Sequence, residues 1–202
     1  ATAIGGVISS IAFDIPQGIF HASHITAYAA DGSSGASGIY LNDSLFVQID
    51  NANITVVGRG SFDHGIYGFS LDNAVIDNTT VVLDNFVGVG YSVLIESSSN
   101  LTVRNSHFQA SGEDNSLFGV YYFNSNLTLH NSTVNVVNTT QAIGVLLSVS
   151  LADTYLIDIV NVSIDVLHTA PAAAIGLWLT TSNPDAYING RVSDTLVNVE
   201  AY

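Results

Sequence analysis

Ionisable side chains are scarce in this chain, and their spacing limits the chemistry it can carry. Arg59, Arg104 and Arg191 are its only permanent cations. Arg104 ends the phrase Leu101-Thr102-Val103-Arg104-Asn105, which returns as Leu127-Thr128-Leu129-His130-Asn131. Aligning the phrases stacks Asp77, Arg104 and His130 in one column, because Asp77 precedes Asn78 as Arg104 precedes Asn105. An acid, a guanidinium and an imidazole at strand spacing can pair, and such a trio is a candidate catalytic site. The same column serves equally as a charge-balancing ladder on a wetted face, and that is the expectation preferred here. A glycosidase would need two carboxylates about 5 to 10 Å apart on one face. Glu113 and Asp114 are adjacent in a loop, while Asp63, Asp84 and Glu96 share no column. His21 and His24 are three apart in a strand-like stretch, which sends them to opposite sides, and no third ligand lies nearby. The loop from Asp31 lacks the alternating acids of a Ca2+ site. No metal and no cofactor are therefore expected.

Composition narrows the partners. With 3 basic against 17 acidic residues the net charge is -14, which excludes nucleic-acid or anionic-membrane binding through phosphate contacts. Zero Cys removes thiolate catalysis and disulfides together. No run approaches the roughly 18 apolar residues of a membrane helix. Charged residues are only 10% of the chain, so Ser, Thr and Asn carry the surface, a habit of exported proteins. An extracellular or cell-surface location is expected, and any signal peptide is already gone or was never there.

The elements that position these residues repeat. A glycine opens an apolar strand at Gly38, Gly65, Gly90, Gly119, Gly144 and Gly176. A second marker precedes a shorter strand at Asn78, Asn105, Asn131, Asn161 and Ser193. Both advance together by about 25 to 32 residues, so a structural unit is repeating. Strand runs of Val, Ile, Tyr and Thr dominate, and no long stretch keeps helical spacing. A unit this short cannot bury its own apolar face, and stacking on copies of itself solves the problem. The expectation is all-β: a right-handed parallel β-helix of about seven coils, with neighbouring strands about 4.8 Å apart. It forms one domain over 1–202, with an irregular N-terminal coil or pairing segment at 1–37 and regular coils over 38–202. The alternative is an antiparallel β-sandwich of the kind used by surface filament proteins.

The phrases SNLTVRNSHF, GVYYFNSNLTLHNSTVNV and VNVSIDV resemble the pectin-lyase-like superfamily of right-handed β-helices, which includes surface passengers and adhesins. The resemblance covers roughly 38–200 and specifies fold rather than activity. It implies that Asn78, Asn105, Asn131 and Asn161 form an internal structural ladder at a sharp turn, consistent with the tolerance of Asn for left-handed backbone. Enzymes on this fold usually cleave polysaccharides, so a lyase or glycosidase using Arg104, Asp77 and His130 is the runner-up. Among the Asn-x-Ser/Thr motifs, the inward ladder would shield Asn78, Asn131 and Asn161. Asn42, Asn53, Asn100, Asn126 and Asn138, at turns or loops, are then the candidate glycan acceptors. Tyr67, Tyr91, Tyr121, Tyr122 and Trp178 offer a sugar platform, although half of them should face the core.

Neither terminus shows an amphipathic capping helix, so raw strand edges are expected at both ends. Either the chain is a piece of a longer surface passenger, or its ends pair with neighbouring copies. The reading preferred here is a non-enzymatic extracellular structural protein, a β-solenoid subunit that pairs with copies of itself, end to end, in a filament or adhesive rod. A glycan- or receptor-binding adhesin module without catalysis is the third reading, with cell-surface glycans as partners.

Overall fold

A computed structural model of the chain describes residues 2–3, 7–13, 17–21, 25–29, 34–85, 87–113, 116–138, 140–169 and 173–201. His24, Asp31 and Asp114 lie outside these residues, and so does the expected placement of His21 and His24 on opposite sides.

The strands build three sheets that run the length of the molecule: sheet 1 with eight strands, sheet 2 with seven and sheet 3 with seven. One coil visits sheets 2, 3 and 1 in turn, as in Val89–Glu96, Thr102–Arg104 and His107–Gly112. Every described strand pair is parallel, which makes the molecule a β-solenoid and removes the antiparallel sandwich. No helix among the described residues is long and apolar enough to cross a membrane.

Alternation along each strand turns β-branched and aliphatic residues inward, and register stacks like upon like. In sheet 2 the inner column is Ile39, Ile66, Val93, Val120 and Val145, all fully buried. Sheet 3 contributes Ile49, Ile76, Val103, Leu129 and Ile159, and sheet 1 contributes Ile54, Val81, Phe108, Val134 and Ile164. Three apolar columns meet along the axis, so each coil's core is completed by its neighbours.

The glycine column is part of that core. A Cβ on Gly65 would meet Val81 Cγ1 at 2.1 Å, and one on Gly119 would meet Val134 Cγ1 at 2.2 Å. Sheets 1 and 2 approach so closely there that no side chain fits. Gly90 does not belong to this column, because register pairs it with Asp63 and Leu117. Ser92 holds the position instead, buried, with its hydroxyl donating to the Gln109 carbonyl at 3.0 Å.

The described strands within 1–37 head the same three sheets, and Val7–Phe13 lies in register with Gly35–Asn42. One further expectation changes. The asparagine column is continued by Asp194 rather than Ser193: Ser193 pairs with Val160, and Asp194 has the left-handed φ of 50° that Asn161 shows at 54°.

Candidate functional site

Sheet 3 turns into sheet 1 at a corner of two residues, and the chemistry proposed from sequence sits there. Asn78, Asn105, Asn131 and Asn161 all have positive φ, 47°, 52°, 46° and 54°. This is the backbone region Asn tolerates better than other non-glycine residues. Their amides do form a ladder. Asn131 Nδ2 donates to Asn105 Oδ1 at 3.3 Å, Asn161 Nδ2 donates to Asn131 Oδ1 at 3.0 Å, and Asn78 donates to Asn51. Asn105 Nδ2 instead donates to Asp77 Oδ1 at 2.8 Å, one rung out of line. All four side chains are exposed, which corrects the inward placement. A left-handed residue at this corner swings its side chain out of the core and gives the inward position to the residue after it.

That next residue is Thr79, Ser106 or Ser132, and each is buried. The Ser106 hydroxyl donates to the Arg104 carbonyl at 2.7 Å and accepts the Thr79 N–H at 3.2 Å, while Ser132 repeats the pattern for Ser106. A matching hydroxyl ladder lines the corner between sheets 2 and 3, where Ser98 accepts the Leu71 N–H and Ser125 accepts the Ser98 N–H, each at 2.9 Å. These hydroxyls satisfy inward-pointing corner amides, which would otherwise be stranded in the core. The Asn-Ser and Asn-Thr dipeptides at Asn78, Asn105 and Asn131 were the signal for the first ladder, and sequence reasoning passed over them.

Register does place Asp77, Arg104 and His130 in one column on the outer face of sheet 3. Arg104 is committed to Asp77: Nε and Nη2 both lie 2.8 Å from Oδ2. His130 turns to Asp158, with Nε2 2.9 Å from Oδ2, and Arg191 Nε reaches Asp158 Oδ1 at 2.8 Å. Burial works to raise the Asp77 carboxyl, but hydrogen bonds from Asn105 and Arg104, with the guanidinium charge, hold it below the usual carboxylate range. Hydrogen bonds from Arg191 and then from His130 lower Asp158 likewise. The trio is thus split between two acid-centred clusters, Arg104 on Asp77 and His130 with Arg191 on Asp158.

The sequons also sort differently from the expectation. Asn138 is buried, and its Nδ2 donates to the Gln141 carbonyl at 2.8 Å, so it is no acceptor in the folded chain. Asn126 Oδ1 takes the Leu156 N–H at 2.9 Å, and Asn42 Nδ2 donates to Asp43 at 2.9 Å. Asn53 and Asn100 are exposed, and so are Asn78, Asn131 and Asn161.

On the outer face of sheet 2 the aromatics form a stack rather than a platform. His64 and Tyr91 lie 5.4 Å apart at 8°, and Tyr91 and Phe118 lie 4.8 Å apart at 14°. Rings stacked along the axis spend their faces on one another and turn their edges outward, whereas a pyranose packs on an open ring face. Tyr122 is fully buried, and its hydroxyl has no hydrogen-bond partner. Trp178 stands on the outer face, 40% exposed. Beside the stack, Asp63 is buried with Oδ1 accepting the Ala36 N–H at 2.8 Å and Oδ2 accepting the Gly60 N–H at 3.2 Å. Desolvation wins over these two bonds, and its carboxyl is pushed up. Among the described residues no group of three or more His, Asp or Glu is placed to hold a metal ion.

No protein-family model, no curated protein and no solved structure matches this chain, so its function is argued from its own geometry.

Proposed function

We propose that the chain is an extracellular structural protein, a β-solenoid unit that assembles end to end into a cell-surface filament or adhesive rod. One observation carries this reading: every described strand pairs in parallel and in register with the same strand one coil away, so the three sheets and the core columns extend by addition of like coils, through to the coil formed by Ala173–Thr181, Tyr187–Ser193 and Leu196–Ala201. Leu179, Val197 and Val199 follow Leu147, Ile164 and Val166 in register. The first three are 38, 43 and 42% exposed, and their predecessors are 0, 0 and 2% exposed. All strands run the same way, so the first coil of a second copy would extend every sheet in parallel and cover the apolar columns. Such a head-to-tail contact does not close, and it propagates as a filament. Glycans at exposed sequons such as Asn53 and Asn100 would hydrate the charge-poor sides.

The chain has a single tryptophan, Trp178, and it lies in this coil. Raising protein concentration should shift its fluorescence to the blue as filaments appear by electron microscopy, and Val197→Lys should abolish both changes. A wild-type protein that stays monomeric at every concentration sinks the proposal. The competing reading, a polysaccharide-active enzyme, needs Arg104 free of Asp77; measurable cleavage of acidic polysaccharide that disappears in Arg104→Ala would favour it instead.

A further inference from the structure

A concavity of about 430 Å3 opens on the outer face of sheet 2, across Gly35–Asn42, Phe62–Phe69 and Val89–Glu96. Its walls are mainly aromatic, from Tyr40, Phe62, His64, Tyr67 and Tyr91, and Glu96 is the only acid among the described residues that line it. It exists because the column through Tyr91 and His64 reaches Ser37 in the preceding coil, where no ring is present. Tyr40, in the next column, meets Tyr67 at 55° instead of stacking flat, which widens the mouth.

The charge in this concavity is unbalanced. Glu96 Oε2 accepts the Tyr67 phenol at 2.8 Å, and no ion pair found among the described residues includes Glu96. No lysine or arginine is among the described residues that line the walls. Burial lowers His64 to about 4, so its imidazole is neutral at pH 7 and supplies no positive charge. Burial pushes Tyr91 up to about 12, and burial with the Glu96 hydrogen bond raises Tyr67 as well, so both phenols keep their protons.

We propose that this concavity binds an organic ammonium, a quaternary or primary amine on a short aliphatic stem. Tyr40, tilted out of the flat stack, and Phe62, which takes no part in it, offer electron-rich ring surfaces that attract a weakly hydrated cation, and a carboxylate at the rim supplies the counter-charge. Anions are repelled by Glu96 and by a chain of net charge -14. A bare divalent ion would require several oxygen ligands, where the walls offer chiefly rings. This site is independent of end-to-end assembly, since it lies on the side of the solenoid.

The test is calorimetric titration of the full chain with choline chloride and with 3,3-dimethylbutan-1-ol, its uncharged carbon isostere. Choline should bind about tenfold more tightly or better, the range of a partly desolvated cation–π site. Glu96→Gln, which keeps an acceptor for Tyr67, should remove that preference, and Tyr40→Leu should weaken choline binding. Circular dichroism checks that each variant retains its sheets. Co-sedimentation with phosphatidylcholine vesicles, lost in Glu96→Gln, would assign the ammonium to a lipid headgroup, whereas choline binding without it assigns a free amine. Equal binding of choline and the isostere, choline binding unchanged in Glu96→Gln, or no saturable binding of choline overturns the proposal.

Discussion

Asp77 and Arg104 occupy the same position on neighbouring coils, and the guanidinium reaches one carboxylate oxygen with both Nε and Nη2 at 2.8 Å. The contact spans one rung of the solenoid, so it ties coil to coil on a face where register has already brought the backbones together. A charge pair in this place holds a ladder in phase and offsets the like charge of a column in which Asp50 lies opposite Asp77.

Because the Arg104 side chain is 48% exposed, solvent screens the pair. Arg104→Ala should cost less than about 1 kcal/mol in urea unfolding, and the cost should shrink with added salt. A loss of several kcal/mol would mean that the ladder is a main support of the fold.

The corner should respond differently on its two faces. Asn105→Gly keeps the left-handed turn and loses an exposed amide, so its effect should stay within about 0.5 kcal/mol. Ser106→Ala strands the buried Thr79 N–H, which donates to the Ser106 hydroxyl. That change should cost about 1–3 kcal/mol by chemical denaturation. Equal penalties at the two positions would contradict the division of roles between the outer amides and the inner hydroxyls.

This corner also shows what the sequence could and could not disclose. The period was legible because two marker columns kept phase, and the inward sets Leu101, Val103 and Leu127, Leu129 followed from alternation alone. Which way Asn105 points was not legible, since a left-handed residue breaks the alternation that strand reasoning depends on. The same limit hid Ser92: the glycine pattern matched Gly90, two residues early, because a packing restriction between sheets leaves no mark on local composition. The column Asp77–Arg104–His130 could be aligned from repeats, but the turn of His130 toward Asp158 depends on a coil whose length differs from its predecessors.

Tyr122 offers a test of the core. Its ring is fully buried beneath sheet 2, and its hydroxyl is without a partner, which leaves burial to push its ionisation far up. Tyr122→Phe keeps the ring and removes the unsatisfied group, so it should stabilise the chain by about 1 kcal/mol, read as a raised urea midpoint. A destabilised variant would show that the hydroxyl has found a bond, for instance to a water molecule inside the solenoid.

Two carboxylates should give opposite pH signatures. Asp77 is held below its unfolded value, so the stability it supplies is complete above about pH 4 and is lost as pH falls through its folded pKa. Asp63 is raised by burial, so the folded state favours its protonated form. Its contribution is complete below about pH 4 and declines as pH rises through its folded pKa. Urea midpoints taken from pH 3 to pH 7 should therefore show Asp77→Asn falling further behind the wild type as pH rises. Asp63→Asn, which retains an acceptor for the Ala36 N–H, should gain on the wild type over the same range. If the Asp63→Asn difference instead stays constant with pH, the backbone donors Ala36 and Gly60 fully offset the cost of burying that charge, and the raised ionisation is not a property of the folded chain.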